Sequence, residues 1–161
     1  AVTFLSLDGM HVGDAGASAL AAALDRGALP RLKGLTLHRT AIGDAALAAL
    51  APALRRRPAL ERLDLRNNPF GDEGLAALVA PPPPAGALPP PTGGLAELKR
   101  LFLHRTQIAD AGCGTLAAAL DSGALPPLGD LPLFGTRASA AATVAVAKAL
   151  IGARSRADVP C

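Results

Sequence analysis

The sequence predicts an α/β fold, a right-handed curved solenoid of about five repeated units with a parallel β-sheet on the concave side and helices on the convex side. Three observations predict it. A leucine string recurs along the chain at similar intervals. The first four copies are followed by the same short turn and then by an Asp that opens a run of helically spaced apolar residues. The composition is rich in Leu and Ala yet holds only four Phe and no Trp or Tyr in 161 residues. Such a chain cannot build its core on large aromatic anchors, but it can fill thin, repeated layers.

The strings are Leu32-Lys33-Gly34-Leu35-Thr36-Leu37, Leu60-Glu61-Arg62-Leu63-Asp64-Leu65 and Leu98-Lys99-Arg100-Leu101-Phe102-Leu103. A first copy begins at Val2 with Leu5 and Leu7, and a weaker last copy is Leu128-Gly129-Asp130-Leu131-Pro132-Leu133. From Leu5 through Leu35, Leu63 and Leu101 to Leu131 the steps are 30, 28, 38 and 30 residues. Alternating Leu-x-Leu sends leucines to one face of a strand, which predicts parallel strands near residues 3–7, 33–37, 61–65, 99–103 and 129–133. Three residues past each strand stands Met10, Thr40, Asn68, Thr106 or Thr136, and two further on Val12, Ile42, Phe70, Ile108 or Ala138. Asp14, Asp44, Asp72 and Asp110 come next. In copy two, Leu47, Leu50, Ala51 and Leu54 follow at the spacing of one helix face; Ala17, Leu20, Ala21 and Leu24 do so in copy one, and Cys113, Leu116, Ala117 and Leu120 in copy four. Each Asp is expected to cap the helix it opens, and Gly27 and Gly123 are expected to close helices in the left-handed conformation. One such unit cannot bury both its faces, whereas stacked units can.

The pattern breaks in three places. Copy three reaches Leu78-Val79 and then meets Pro81 to Pro84, so its last helical turn is lost. Residues 81–94 are therefore expected to form a Pro-rich surface insertion. It is either a docking segment for a Pro-recognising domain or a tolerated loop. The loop is favoured because no basic residue flanks the prolines within it. Pro52 is expected to kink the second helix. Pro132 has no N–H for a sheet and suits an edge strand, as the last strand would be. A final helix is expected from about Ser139 to Gly152, with residues 153–161 as a frayed tail. Residues 1–161 thus read as a single domain. Because the chain opens inside a copy and neither end shows a polar capping unit, it is expected to be a piece of a longer array.

This pattern resembles the leucine-rich-repeat family, in the long subtype of ribonuclease inhibitor, NOD-like receptors and Ran GTPase-activating proteins. The resemblance spans nearly the whole chain and implies a fold used for protein binding. Two departures stand out. The family's Asn or Cys after the strand survives only as Asn68, with Thr40, Thr106 and Thr136 offering hydroxyls and Met10 offering nothing. The chain has only two cysteines, which sets it apart from ribonuclease inhibitor itself.

Little points to catalysis. Sixteen Lys plus Arg against thirteen Asp plus Glu leave a net charge of +3, too mild an excess to argue for nucleic acid. Cys113 and Cys161 lack metal-ligand spacing, and their scarcity fits a reducing, cytoplasmic setting. His38 and His104 hold equivalent positions two strands apart with Arg66 between them, a poor arrangement for zinc. No serine sits in a nucleophile elbow, and no phosphate-binding loop occurs. No run of eighteen apolar residues would span a membrane. The expectation is a non-enzymatic module with no cofactor, metal or small-molecule substrate. What remains is the set of outward residues on the strands. In the middle three copies these include Arg39, Arg62, Arg66, Arg100 and Arg105 with His38 and His104, against the single acid Asp64. Arg39, Arg62, Arg66, Arg100, Phe102, His104 and Arg105 are accordingly the expected binding residues, pointing to solvent and receiving a protein partner with acidic segments. The alternatives are a GTPase activator of the Ran type and a Pro-rich adaptor. The first is disfavoured by Arg154 and Arg156, which stand where that family often turns acidic.

Overall fold

A computed structural model describes residues 2–57, 59–79, 95, 97–122, 125 and 128–158. Four three-residue strands alternate with helices: β1 Phe4–Ser6, α1 Gly13–Asp25, β2 Gly34–Thr36, α2 Asp44–Arg55, β3 Arg62–Asp64, α3 Asp72–Leu78, β4 Arg100–Phe102, α4 Asp110–Ser122 and α5 Ala140–Ala157. The strands pair in parallel in chain order, with Leu5 opposite Leu35, Leu35 opposite Leu63 and Leu63 opposite Leu101. Parallel neighbours need a crossover, and α1, α2 and α3 lie in the three that join the four strands. Successive helices pack side by side, α1 on α2, α2 on α3, α3 on α4 and α4 on α5.

The core lies between sheet and helices. The strand leucines Leu35, Leu37, Leu63, Leu65, Leu101 and Leu103 are fully buried, as are Leu47, Leu50 and Leu54 of α2. Phe70 is the largest residue in it. Cys113 occupies a buried place in α4 equivalent to Leu47 in α2. Burial pushes its thiol up, with Asp110 and Asp72 adding to the effect, so it behaves as a small apolar residue.

Several expectations change here. The fifth leucine string pairs through one parallel bridge, Arg100 to Asp130, rather than a full strand. Pro132 explains this, since it stands where β2 has Thr36 and has no N–H to donate. The last helix does not stop at Gly152. It continues to Ala157, with Ala153 buried. Arg154 holds it there by donating to the Leu128 carbonyl from Nε at 2.8 Å and from a terminal nitrogen at 2.6 Å. Pro52 sits inside α2, which runs unbroken through it. Gly27 is left-handed, as its place after α1 requires (φ 89°). The insertion 81–94, Gly123 and Cys161 lie outside the described residues.

The recurrent Asp residues do not cap their own helices. Helices α1, α2 and α3 have Val12, Gly43 and Gly71 as N-caps, with no side-chain hydrogen bond. Asp44, Asp72 and Asp110 instead reach forward to the next unit. Asp44 Oδ1 accepts from the backbone N–H of Gly71 at 2.7 Å and of Gly74 at 2.8 Å. Asp72 Oδ1 does the same for Ala109 and Gly112, at 2.8 and 2.9 Å. Asp110 accepts from Ser139 at 2.6 Å, and there Ser139 Oγ takes the second bond, from Ala142. The physical purpose of a cap is kept, because orphan N–H groups of a first turn are satisfied. The donor helix is simply the neighbour. Gly112 makes the approach possible, since a Cβ there would lie 2.4 Å from Asp72 Oδ1.

Asn68 also ties units together. Its amide donates to the Leu37 and Leu65 carbonyls at 2.7 and 2.9 Å, while its Oδ1 accepts from the N–H groups of Thr40 and Ile42. Among the described residues Thr106 and Thr136 make only the local bond from Oγ1, to Leu103 and Leu133, while Thr40 Oγ1 donates to the Leu37 carbonyl at 2.6 Å and lies 3.3 Å from Asn68 Oδ1. A hydroxyl has one proton to give, and an amide has two.

Candidate functional site

Parallel register stacks equivalent residues into columns across the sheet face that looks away from the helices. One column runs Phe4, Gly34, Arg62, Arg100 and Asp130. The next runs Ser6, Thr36, Asp64 and Phe102. Beyond the strand ends, Leu7 donates to the Thr36 carbonyl, Leu37 to Asp64 and Leu65 to Phe102, so the ladder carries on past the strands. A third column is therefore formed by Asp8, His38, Arg66, His104 and Phe134.

The expected residues do come together, but they are not a row of free solvated cations. The Arg62 guanidinium lies over the Phe102 ring, 5.1 Å from its centroid. Arg66 Nε approaches Asp64 Oδ2 at 3.3 Å, and Arg100 Nε approaches Asp130 Oδ2 at 3.4 Å. Asp64 is only 1 % exposed, Thr36 3 % and His104 7 %, so the face is closed in its middle rather than open to water. Asp64 Oδ1 also accepts from the Arg66 backbone N–H at 3.2 Å. Arg66 thus serves a buried carboxylate and does not point freely to solvent. Arg39 and Arg105 are exposed and make no ion pair among the described residues.

His104 is the centre of an aromatic cluster. Its ring stacks on Phe134 with centroids 4.3 Å apart, and it meets Phe102 edge-on at 6.2 Å. Its Nδ1 is buried and has no hydrogen-bond partner among the described residues. Burial lowers its pKa from the ordinary value, nearby Arg66, Arg105 and His38 push the same way, and Asp64 opposes them. The neutral imidazole is the form this environment holds. Phe134 is 60 % exposed on the outer side of the stack. Beside it opens a cleft of about 360 Å³ lined by Leu131, Leu133, Phe134, Thr143, Val146, Ala147 and Leu150.

Sequence reasoning sets Asp64 on one face with Arg62 and Arg66, where it offsets part of their charge, but misses the pairing of Arg100 with Asp130. Asp130 was visible as an outward residue of the last copy, and its column position beside Arg100 was the available signal. At the strand entries Glu61 lies between Lys33 at 3.6 Å and Lys99 at 3.1 Å. Its carboxyl is held below the usual range, chiefly by the hydrogen bond from Lys99. The alternation Lys, Glu, Lys at one repeat position was legible too. Buried Asp64 had no such signal, because its burial depends on how tightly its neighbours pack. Among the described residues no three His, Cys, Asp or Glu side chains form a metal-sized group, and no helix is long and apolar enough to cross a membrane.

Comparison with known proteins supports the architecture. Residues 58–79 match the family model described as Leucine Rich repeat. A solved structure titled Leiomodin-1 Actin-Binding Site 2 (ABS2) is similar at a TM-score of 0.68 and 17 % identity, covering 96 % of this chain and 82 % of that one. No curated protein sequence matches this chain. At 17 % identity the likeness speaks to the fold, which is leucine-rich-repeat-like: a four-stranded parallel sheet among the described residues, with five helices.

Proposed function

We propose that this chain is a non-catalytic protein-interaction module. It is a right-handed curved solenoid of about five leucine-rich repeats, of the ribonuclease-inhibitor-like subtype, that receives a protein partner with acidic segments on its concave sheet face. Arg39, Arg62, Arg66, Arg100, Phe102, His104 and Arg105 are the binding residues of this reading. The observation that carries it is the register that sets Arg62 beside Arg100 and gathers Phe102, His104 and Phe134 into one patch. Aromatic and arginine side chains packed together in a part-desolvated surface are the usual composition of an interface centre. The similar solved structure is titled as an actin-binding site, which supports an interaction role for this fold. Helix length and repeat spacing support the long subtype.

The test uses a partner recovered by cross-linking to the full chain. Replacing Arg62→Ala together with Phe102→Ala is expected to weaken its binding at least about tenfold, on the order of 1.4 kcal/mol. Lys148→Ala on α5 serves as a control that leaves affinity unchanged. Equal losses from both substitutions, or none from the first, would move the binding site off the sheet face.

A further inference from the structure

Arg39 and Arg105 hold the same position in two copies, directly after His38 and His104, and both are left-handed (φ 56°). The equivalent residues in the other copies are Gly9, Asn67 and Gly135, with φ of 74°, 56° and 70°. Gly and Asn are the residues that tolerate this conformation, and arginine is strained in it. Folding alone therefore favours Gly or Asn at all five places. Backbone bonds keep the row in register: Arg39 donates to the Arg66 carbonyl, Asn67 to that of His104 and Arg105 to that of Phe134. Arg39 and Arg105 then stand two strand spacings apart, about 10 Å. Room is made for the second of them, since the stem of Arg105 crosses Gly135, where a Cβ would meet its Cγ at 2.9 Å. Their arginine neighbours are engaged with Phe102, Asp64 and Asp130, whereas these two pair with nothing among the described residues.

We infer that Arg39 and Arg105 form a two-pronged anchor for an acidic segment of another protein, each arginine gripping one carboxylate. The inference rests on the sheet-face reading above and narrows it to two residues and one spacing. In an extended, polyproline-like chain a residue advances about 3.1 Å, and positions i and i+3 project from the same side about 9 Å apart. The segment so defined carries Glu-x-x-Glu in extended form. A nucleic-acid backbone fits less well, because it offers a continuous track of charge, whereas among the described residues only Arg39 and Arg105 of the face's arginines are unengaged, with Asn67 between them.

The probes are a proline-framed peptide carrying Glu-x-x-Glu, the same peptide with its two Glu adjacent, and a short oligothymidylate. Each is titrated into the isotopically labelled full chain. The spaced peptide is expected to shift the Arg39 and Arg105 resonances and to bind at least about fivefold more tightly than the adjacent one, since only it engages both forks. Arg39→Gly with Arg105→Gly is expected to cut that binding at least about tenfold while the melting temperature holds or rises, because Gly accepts the left-handed backbone. Loss of binding from Arg62→Ala with Phe102→Ala alone, with the glycine variant unaffected, would leave the sheet-face reading standing and overturn this one. Binding indifferent to both variants overturns both. Tighter binding of the oligothymidylate, or no binding of the spaced peptide, overturns the two-pronged anchor.

Discussion

His104 shows how one side chain on a sheet face carries several demands at once. Its ring is clamped between Phe102 and Phe134, its Nδ1 is buried without a partner, and most nearby charges are positive. The folded protein therefore prefers neutral imidazole, and its pKa lies below the ordinary value of a histidine in an unfolded chain. The unfolded chain then binds more protons than the folded one as pH falls below that value. The stability tied to neutral His104 is present in full above the unfolded pKa and is lost as pH drops through the folded one. Thermal melts between about pH 5 and pH 8 should show stability rising with pH through this window. His104→Phe keeps an aromatic ring in the stack and should remove that part of the slope. An unchanged slope would show that another group carries it. Arg66 illustrates the opposite error of sequence reading, since its contact with buried Asp64 makes it structural as well as superficial.

At the scale of elements, the joints between units matter more than the units. A three-residue strand and a short helix are too small to persist alone. Their connection is made by Asp44, Asp72 and Asp110, each satisfying the start of the following helix. Asp72→Ala should cost about 1–2 kcal/mol, as loss of a helix cap does. The location of the damage is the sharper test. Hydrogen exchange should speed up at the amides of Ala109 and Gly112, at the entry to α4, and not within α3 where Asp72 resides. Faster exchange confined to the first turn of α3 would mean that Asp72 caps its own helix after all.

Across the whole molecule, the sheet ignores the irregular spacing of the sequence. Leu63 and Leu101 are 38 residues apart, yet they pair in the same register as Leu35 and Leu63, which are 28 apart. The core passes without a break from Leu65 and Phe70 to Leu103 and Ile108, all fully buried. Extra length between β3 and β4 thus leaves the packing around it intact. Deleting Pro81 through Ala85 should change stability by well under about 1 kcal/mol, because closure entropy varies only with the logarithm of loop length. Chemical denaturation of the shortened chain is the check, and unfolding would make that segment part of the core. In the first and last copies the inward leucines Leu5, Leu7, Leu131 and Leu133 are only partly buried, against full burial of Leu35, Leu63 and Leu101 between them.

The unit, its repetition and the inward-facing leucines are all legible in the order of residues alone. These follow from side-chain period, and period is a local property that every copy states again. That order also placed Arg62 beside Arg100 and His38 two strands from His104, because parallel register turns repeat position into spatial column. The tertiary structure decided what those columns do to one another. That Asp72 caps α4 rather than α3, that Asp64 and His104 are buried on the outward face, and that Asp130 neutralises Arg100 all depend on the approach of one unit to the next. So does the shrinking of the fifth strand to one bridge, where Pro132 is asked for an N–H that it lacks. Burial and pairing are set by distances between units, and no single unit's sequence contains them.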